Sequence, residues 1–291
     1  MTATFLDYAA RGKTAWWRYP VGFVVAVLIA IAVGVALLVP AQLLGLAPSD
    51  VTDGLLDSSR PAPFFLLNGL IFGFVLVGFV VAARWFHGKT FGDIIGRWSW
   101  RGFGAGLGIW TLVVAAAAAI DFAIAPSGFS LAAPPQWPVI ALAALAGLAV
   151  QTFAEEFVFR GYLTQGLLLA LKRPEVTALV SGLLFGAMHI PNGVPHAVSA
   201  TITGTAFAFI AMKTGGVAFT SGMHLANNLF AAVFVVSRGD AFRGSPGLVS
   251  QDTPHLMWWD TGVGAVGLVA VAFLVARYLQ RGEPGGAEKR S

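Results

Sequence analysis

Residues 137–162 read WPVIALAALAGLAVQTFAEEFVFRGY. The apolar run from 138 to 161 is long enough for a membrane-crossing helix, for which about 20 residues suffice. Yet Glu155, Glu156 and Arg160 stand near its end. Ionisable groups at membrane depth are costly and mark functional positions. This stretch therefore puts the chain in a bilayer and points to where its chemistry sits.

Similar runs lie on both sides of it, at roughly 21–40, 63–83, 104–125, 176–190, 197–212, 216–236 and 262–279. The expected fold is an all-α polytopic transmembrane helix bundle of about eight spans. Composition agrees. Hydrophobic residues make up 57% of the 291 and charged residues only 11%, with a mean hydropathy of +0.76, whereas soluble domains carry roughly 25% charged residues. The first run follows Arg11, Lys13 and Arg18 as a signal sequence would. It is too long for a signal core and no small-residue cleavage site follows, so it reads as a helix. Trp16, Trp17, Trp85, Trp137, Trp258 and Trp259 fall at span ends, where interfacial aromatics belong. Segment 91–102 alternates apolar and basic residues and is expected to lie along the surface. No internal repeat is evident. Residues 1–291 read as one integral membrane domain, with a short polar tail at 282–291 expected to be disordered.

Loop charges orient the spans. With eight spans, the side holding both termini carries Arg11, Lys13, Arg18, Arg84, Lys89, Arg97, Arg101, Lys172, Arg173, Lys213, Arg277, Arg281, Lys289 and Arg290. The other side carries Arg60, Arg238 and Arg243. Fourteen against three predicts cytoplasmic termini, an even number of spans and a multi-pass protein of the cell membrane. The net charge of +4 is loop charge without a clustered basic face, so no nucleic-acid partner is expected. Cysteine is absent, which excludes a thiol nucleophile, a disulfide framework and any thiolate metal site.

Few polar residues enter the spans. Glu156 and Arg160 are four apart, share a helix face and can pair. Glu155 is turned about 100° from Glu156 and has Phe159 as its i+4 neighbour, so it must find partners on another helix. His189 follows Phe185 by four residues and lies beyond Gly182 and Gly186, which permit close helix approach. The break Pro191-Asn192-Gly193-Val194-Pro195 comes next, and irregular backbone at membrane depth belongs beside a cavity. His224 and Asn228 share a face, while Asn227 is turned toward a neighbouring helix. Asp121 sits close enough to the end of span three to reach water. There is no HExxH zinc motif, no pair of intramembrane aspartates, and no Gly-x-Ser-Gly setting around Ser181 or Ser221.

Glu155-Glu156-x-x-x-Arg160, then Phe185-x-x-x-His189, then His224-x-x-x-Asn228, each on its own hydrophobic segment, resembles the family of type II CAAX prenyl endopeptidases and bacteriocin-processing (Abi) proteins, the CPBP family. The likeness spans about 137–236, a peptidase-like core. It implies an eight-helix intramembrane endopeptidase acting on a membrane-associated peptide or protein. Catalytic roles would fall to Glu155, His189, His224 and Asn228, with Glu156, Arg160 and Phe185 in support. No prenylated substrate follows from it.

The residue types allow two versions of the chemistry. In one, Glu155 activates a water that His189 helps to hold, and His224 and Asn228 donate to the oxyanion. In the other, Glu155, His189 and His224 form a His₂Glu site for a divalent metal such as zinc. The reading leans to metal-independent activation. Two other classes fit the same polar residues: a proton-coupled transporter, which the missing repeat symmetry speaks against, and a non-catalytic scaffold or bacteriocin-immunity protein.

Overall fold

Apolar helices in a bilayer gain little by burying apolar surface against one another, so they associate where small residues let backbones approach. In the computed structural model, which describes residues 3–44, 60–237, 242, 245–252 and 257–281, two such crossings frame the bundle. Gly69 meets Gly147, where an added Cβ would lie 2.6 Å from the facing Cα. At Gly182 and Gly186 a Cβ would collide with Thr205 and Thr201 of the next helix.

The helices follow the apolar runs. In chain order they are α1 (Phe5–Ala9), α2 (Arg18–Leu43), α3 (Pro61–Ala82, extended by a π-helical turn Ala83–His87), α4 (Phe91–Ile95), α5 (Trp100–Ile124) and α6 (Trp137–Glu155). A π-helical segment, Glu156–Leu163, joins α6 to α7 (Thr164–Leu171). Then come α8 (Pro174–Ala187), α9 (Val194–Thr214), α10 (Ala218–Leu229, with a π turn Phe230–Phe234) and α11 (Met257–Arg281). Each expected run lies mostly on a helix, though 176–190 outruns its helix at Ala187 and 216–236 ends in a short strand. Among the described residues six helices are long and apolar enough to cross a membrane, including the 35-residue Trp137–Leu171. The other two, α8 and α10, are short, and both carry site residues.

Three features depart from the sequence reading. Segment 91–102 does not lie along a surface as one element. Thr90 caps α4 through a capping box, and Ile94 and Ile95 are buried, with Ile94 against Gly161 of the π segment. Three short strands were not anticipated: β1 (Phe129–Leu131), β2 (Val235–Ser237) and β3 (Val249–Gln251). They form a sheet in the order β1-β3-β2, with Phe129 opposite Gln251 in the antiparallel pair and Val235 opposite Val249 in the parallel one. Asp121, expected near water, is only 3% exposed. The expected tail 282–291 lies outside the described residues, as do Arg238 and Arg243.

Candidate active site

Every interior turn of an α-helix repeats the face of the turn before it, and a π segment breaks that repeat. Such segments are frequent at functional sites. Here the π segment starts at Glu156, immediately after Glu155. The two carboxylates, expected to point to different neighbours, both reach His224 of α10. Glu156 Oε1 lies 2.9 Å from His224 Nδ1, and Glu155 Oε2 lies 3.4 Å from His224 Nε2.

Arg160 closes the group. Its Nη1 is 3.0 Å from Glu156 Oε1, and both side chains are wholly buried. The contact is an ion pair without a well-aligned hydrogen bond, and Nε and Nη2 have no hydrogen-bond partner among the described residues. The guanidinium is instead stacked over Phe185 at 4.1 Å and over Phe207 at 5.2 Å, the aromatic partnership that suits a weakly hydrated planar cation. Phe185 thereby links α8 to the charged group; its ring is also 4.6 Å from His189 and 5.9 Å from His224.

His189 stands just past the end of α8, where a short 3₁₀ turn Ile190–Asn192 begins. Its Nδ1 is 2.8 Å from the Phe185 carbonyl. A carbonyl only accepts, so Nδ1 carries the proton and Nε2 presents a lone pair. Asn228 is set by a chain of donors from α5. Trp110 Nε1 donates to Asn227 Oδ1 at 3.2 Å, and Asn227 Nδ2 donates to Asn228 Oδ1 at 3.2 Å. That leaves the Asn228 amide hydrogens for a ligand. Gln151, one turn before Glu155, donates to its Oε1 at 3.3 Å.

Trp110 and Gln151 were missed in the sequence. Gln151 carried a signal, its i−4 spacing from Glu155; Trp110 carried none, since its partner is 117 positions away.

The four proposed catalytic residues, Glu155, His189, His224 and Asn228, line one chamber of about 660 Å³. Its other lining residues come from consistent places. Phe64 and Asn68 lie in the first turns of α3, Asp121 in the last turn of α5, His196 in the first turn of α9 and Asp260 in the first turn of α11. In each of these helices the opposite end leads to the basic loops that hold Arg84, Arg97, Lys213 or Arg277. Toward those loops Phe157, Arg160 and Tyr162 are wholly buried, and a separate, apolar cavity of about 600 Å³ lies among Phe91, Trp98, Phe103, Phe153 and Leu225. The site is the closed end of a polar chamber that opens away from the basic side of the bundle.

Among the described residues no group of three His, Cys, Asp or Glu is arranged to hold a metal ion. Glu155, His189 and His224 would be the ligands of a His₂Glu site, but here His224 turns both ring nitrogens to carboxylates.

The fold and these motifs define a class, that of multi-pass helical membrane proteins with a CAAX-protease-like peptidase domain. Residues 135–230 match the family model of the type II CAAX prenyl endopeptidases, Rce1-like, and the chain belongs to that family. It is also 30% identical over 274 residues to the uncharacterized protein YyaK of Bacillus subtilis (strain 168), covering 89% of this chain and 91% of the relative. No solved structure matches the chain.

Proposed function

We propose that this chain is an intramembrane endopeptidase that hydrolyses a peptide bond of a membrane-associated protein or peptide, using a water activated by Glu155. One observation carries the reading. A glutamate with 9% exposure sits at the closed end of a polar chamber, braced by Gln151 and His224, with a histidine lone pair and an amide donor lining the same space. A transporter of the common kinds would carry repeat symmetry, and the chain shows none.

In the proposed reaction Glu155 takes a proton from a water whose other hydrogen bonds to His189 Nε2. The water oxygen attacks the scissile carbonyl carbon. Asn228 Nδ2 donates to the oxygen that becomes negative, a use of preset donors that strengthens as charge develops. Collapse breaks the C–N bond, and Glu155 returns the proton to the leaving nitrogen. His224, held at Nδ1 by Glu156, keeps Glu155 in place and adds to the polar field at the oxyanion. Glu156 and Arg160 fix the rotation of the π segment.

By the charge asymmetry, the termini are cytoplasmic and the protein sits in the cell membrane. The chamber mouth then opens away from the cytoplasm, and the substrate segment enters from that face. Nothing in this reading requires a prenyl group.

The test is a comparison of membrane peptides from cells carrying the native protein and Glu155→Gln, followed by cleavage of the candidates by purified protein. Product peptides that vanish in the variant, at unchanged protein level, support the reading. Identical products from both would remove Glu155 from the mechanism.

A further inference from the structure

Asp121 is hard to explain as a stabilising residue. It lies in the last turn of α5, where a negative charge opposes the helix dipole. Its side chain is 3% exposed, and Oδ1 has no hydrogen-bond partner among the described residues. A buried carboxylate oxygen without a partner is costly. Asp260, which lines the same chamber, needs no such explanation, because it lies in the first turn of α11 where the dipole favours an acid. Among the described residues no lysine or arginine lines the chamber.

We propose that Asp121, facing the chamber with an unsatisfied oxygen, is a specificity subsite that binds a cationic side chain of the substrate peptide. This rests on the peptidase reading and adds a substrate class, a segment carrying a lysine or arginine. The helix geometry also gives the spacing. Trp110 of α5 is level with Asn227, next to the oxyanion donor Asn228. Asp121 is eleven residues further along the same helix, about 16 Å at 1.5 Å per residue. An extended peptide covers about 3.3 Å per residue. Part of the distance is spanned by the long basic side chain itself. The basic residue therefore falls about three to five residues from the scissile bond. A cation there would meet a largely enclosed carboxylate, where ion pairing is stronger than at a surface. A neutral residue at the same position would leave Oδ1 unsatisfied.

Two measurements test this and separate it from the peptidase reading. In the first, full-length Glu155→Gln protein in nanodiscs is titrated with dye-labelled 12-residue peptides that are identical except for one central Lys or Glu. The Lys peptide is expected to bind about tenfold tighter, and adding Asp121→Asn, which keeps size and removes charge, should abolish the difference. Equal binding of the two peptides, or a preference that survives Asp121→Asn, overturns the subsite. In the second, protein with an intact Glu155 is given peptides in which a single Lys is moved along the chain. Cleavage is expected to be fastest with Lys three to five residues from the cut, and Asp121→Lys should shift the preference to Glu. A Lys preference at some other distance, or none, also overturns it. Selective binding without cleavage of any peptide would count against the peptidase reading while upholding the cationic subsite.

Discussion

Arg160 and Glu156 are the charges whose removal the structure constrains most. Both are wholly buried and 3.0 Å apart at their nearest atoms. With charge centres about 4 Å apart and an effective dielectric near 20, their attraction is about 4 kcal/mol. Arg160→Met should lose that attraction and leave Glu156 as a buried charge with His224 and the Thr220 hydroxyl beside it. Glu156→Leu should leave Arg160 with the faces of Phe185 and Phe207 and the longer-range charge of Glu155. Removing one member of a buried pair costs about 3–5 kcal/mol, whereas replacing both by apolar side chains of similar volume is often close to neutral. The double variant should therefore recover stability, with a coupling energy of about 0.5–3 kcal/mol. Glu156→Leu should lower turnover more than Arg160→Met does, because it also frees His224 Nδ1. The assay is equilibrium unfolding in mixed detergent micelles, with turnover measured on the same preparations. Additive losses in the double variant would refute the pairing. Full stability with no turnover in Glu156→Gln would make Glu156 itself catalytic.

Other expectations follow from the same geometry. If His189 and His224 position water and oxyanion, the purified protein should hold no stoichiometric zinc and keep its activity in chelator; one zinc per chain, lost in His189→Ala, would favour the His₂Glu site instead. Trp110→Phe removes the donor that sets Asn227 and through it Asn228, and should lower kcat about tenfold with KM little changed; unaltered kcat would take this relay out of the mechanism. Lys89 is almost wholly enclosed, bonded to the Ala9 carbonyl at 2.9 Å and to Gln165 at 2.6 Å, and burial pushes its pKa down to about 8 from 10.5. The unfolded chain then binds more protons than the folded one between those values, so this residue's contribution to stability should rise as pH goes from about 8 to 10.5 and be lost as pH falls back through 8; Lys89→Met should flatten that rise, and an unchanged pH profile would contradict the assignment. Reporter fusions at Ser291 and within 44–60 should report opposite sides of the membrane, and a common side would overturn the topology.

Much of this was legible in the linear chain. Hydrophobic length located the helices, because a helix in a bilayer satisfies its backbone internally and has only to be apolar for about 20 residues. Spacing paired Glu156 with Arg160, because neighbours one turn apart belong to a single helix. The order of Glu155, His189 and His224 along the chain marked one family. What the chain could not disclose was rotation and depth. The π segment after Glu155 is stabilised by what packs around it, including Ile94 against Gly161, and nothing local announces it. Both glutamates, in ordinary α-helical backbone, reach the two nitrogens of His224 because α10 packs against that part of the helix. Asp121 misled for a related reason: near the end of a span it looked wetted, but the neighbouring helices and the chamber wall bury it. Span and charge are properties of one segment and can be read from it. The meeting of Trp110 with Asn227, the closed end of the chamber and the burial of Asp121 depend on which helices become neighbours, and only the tertiary packing decides that.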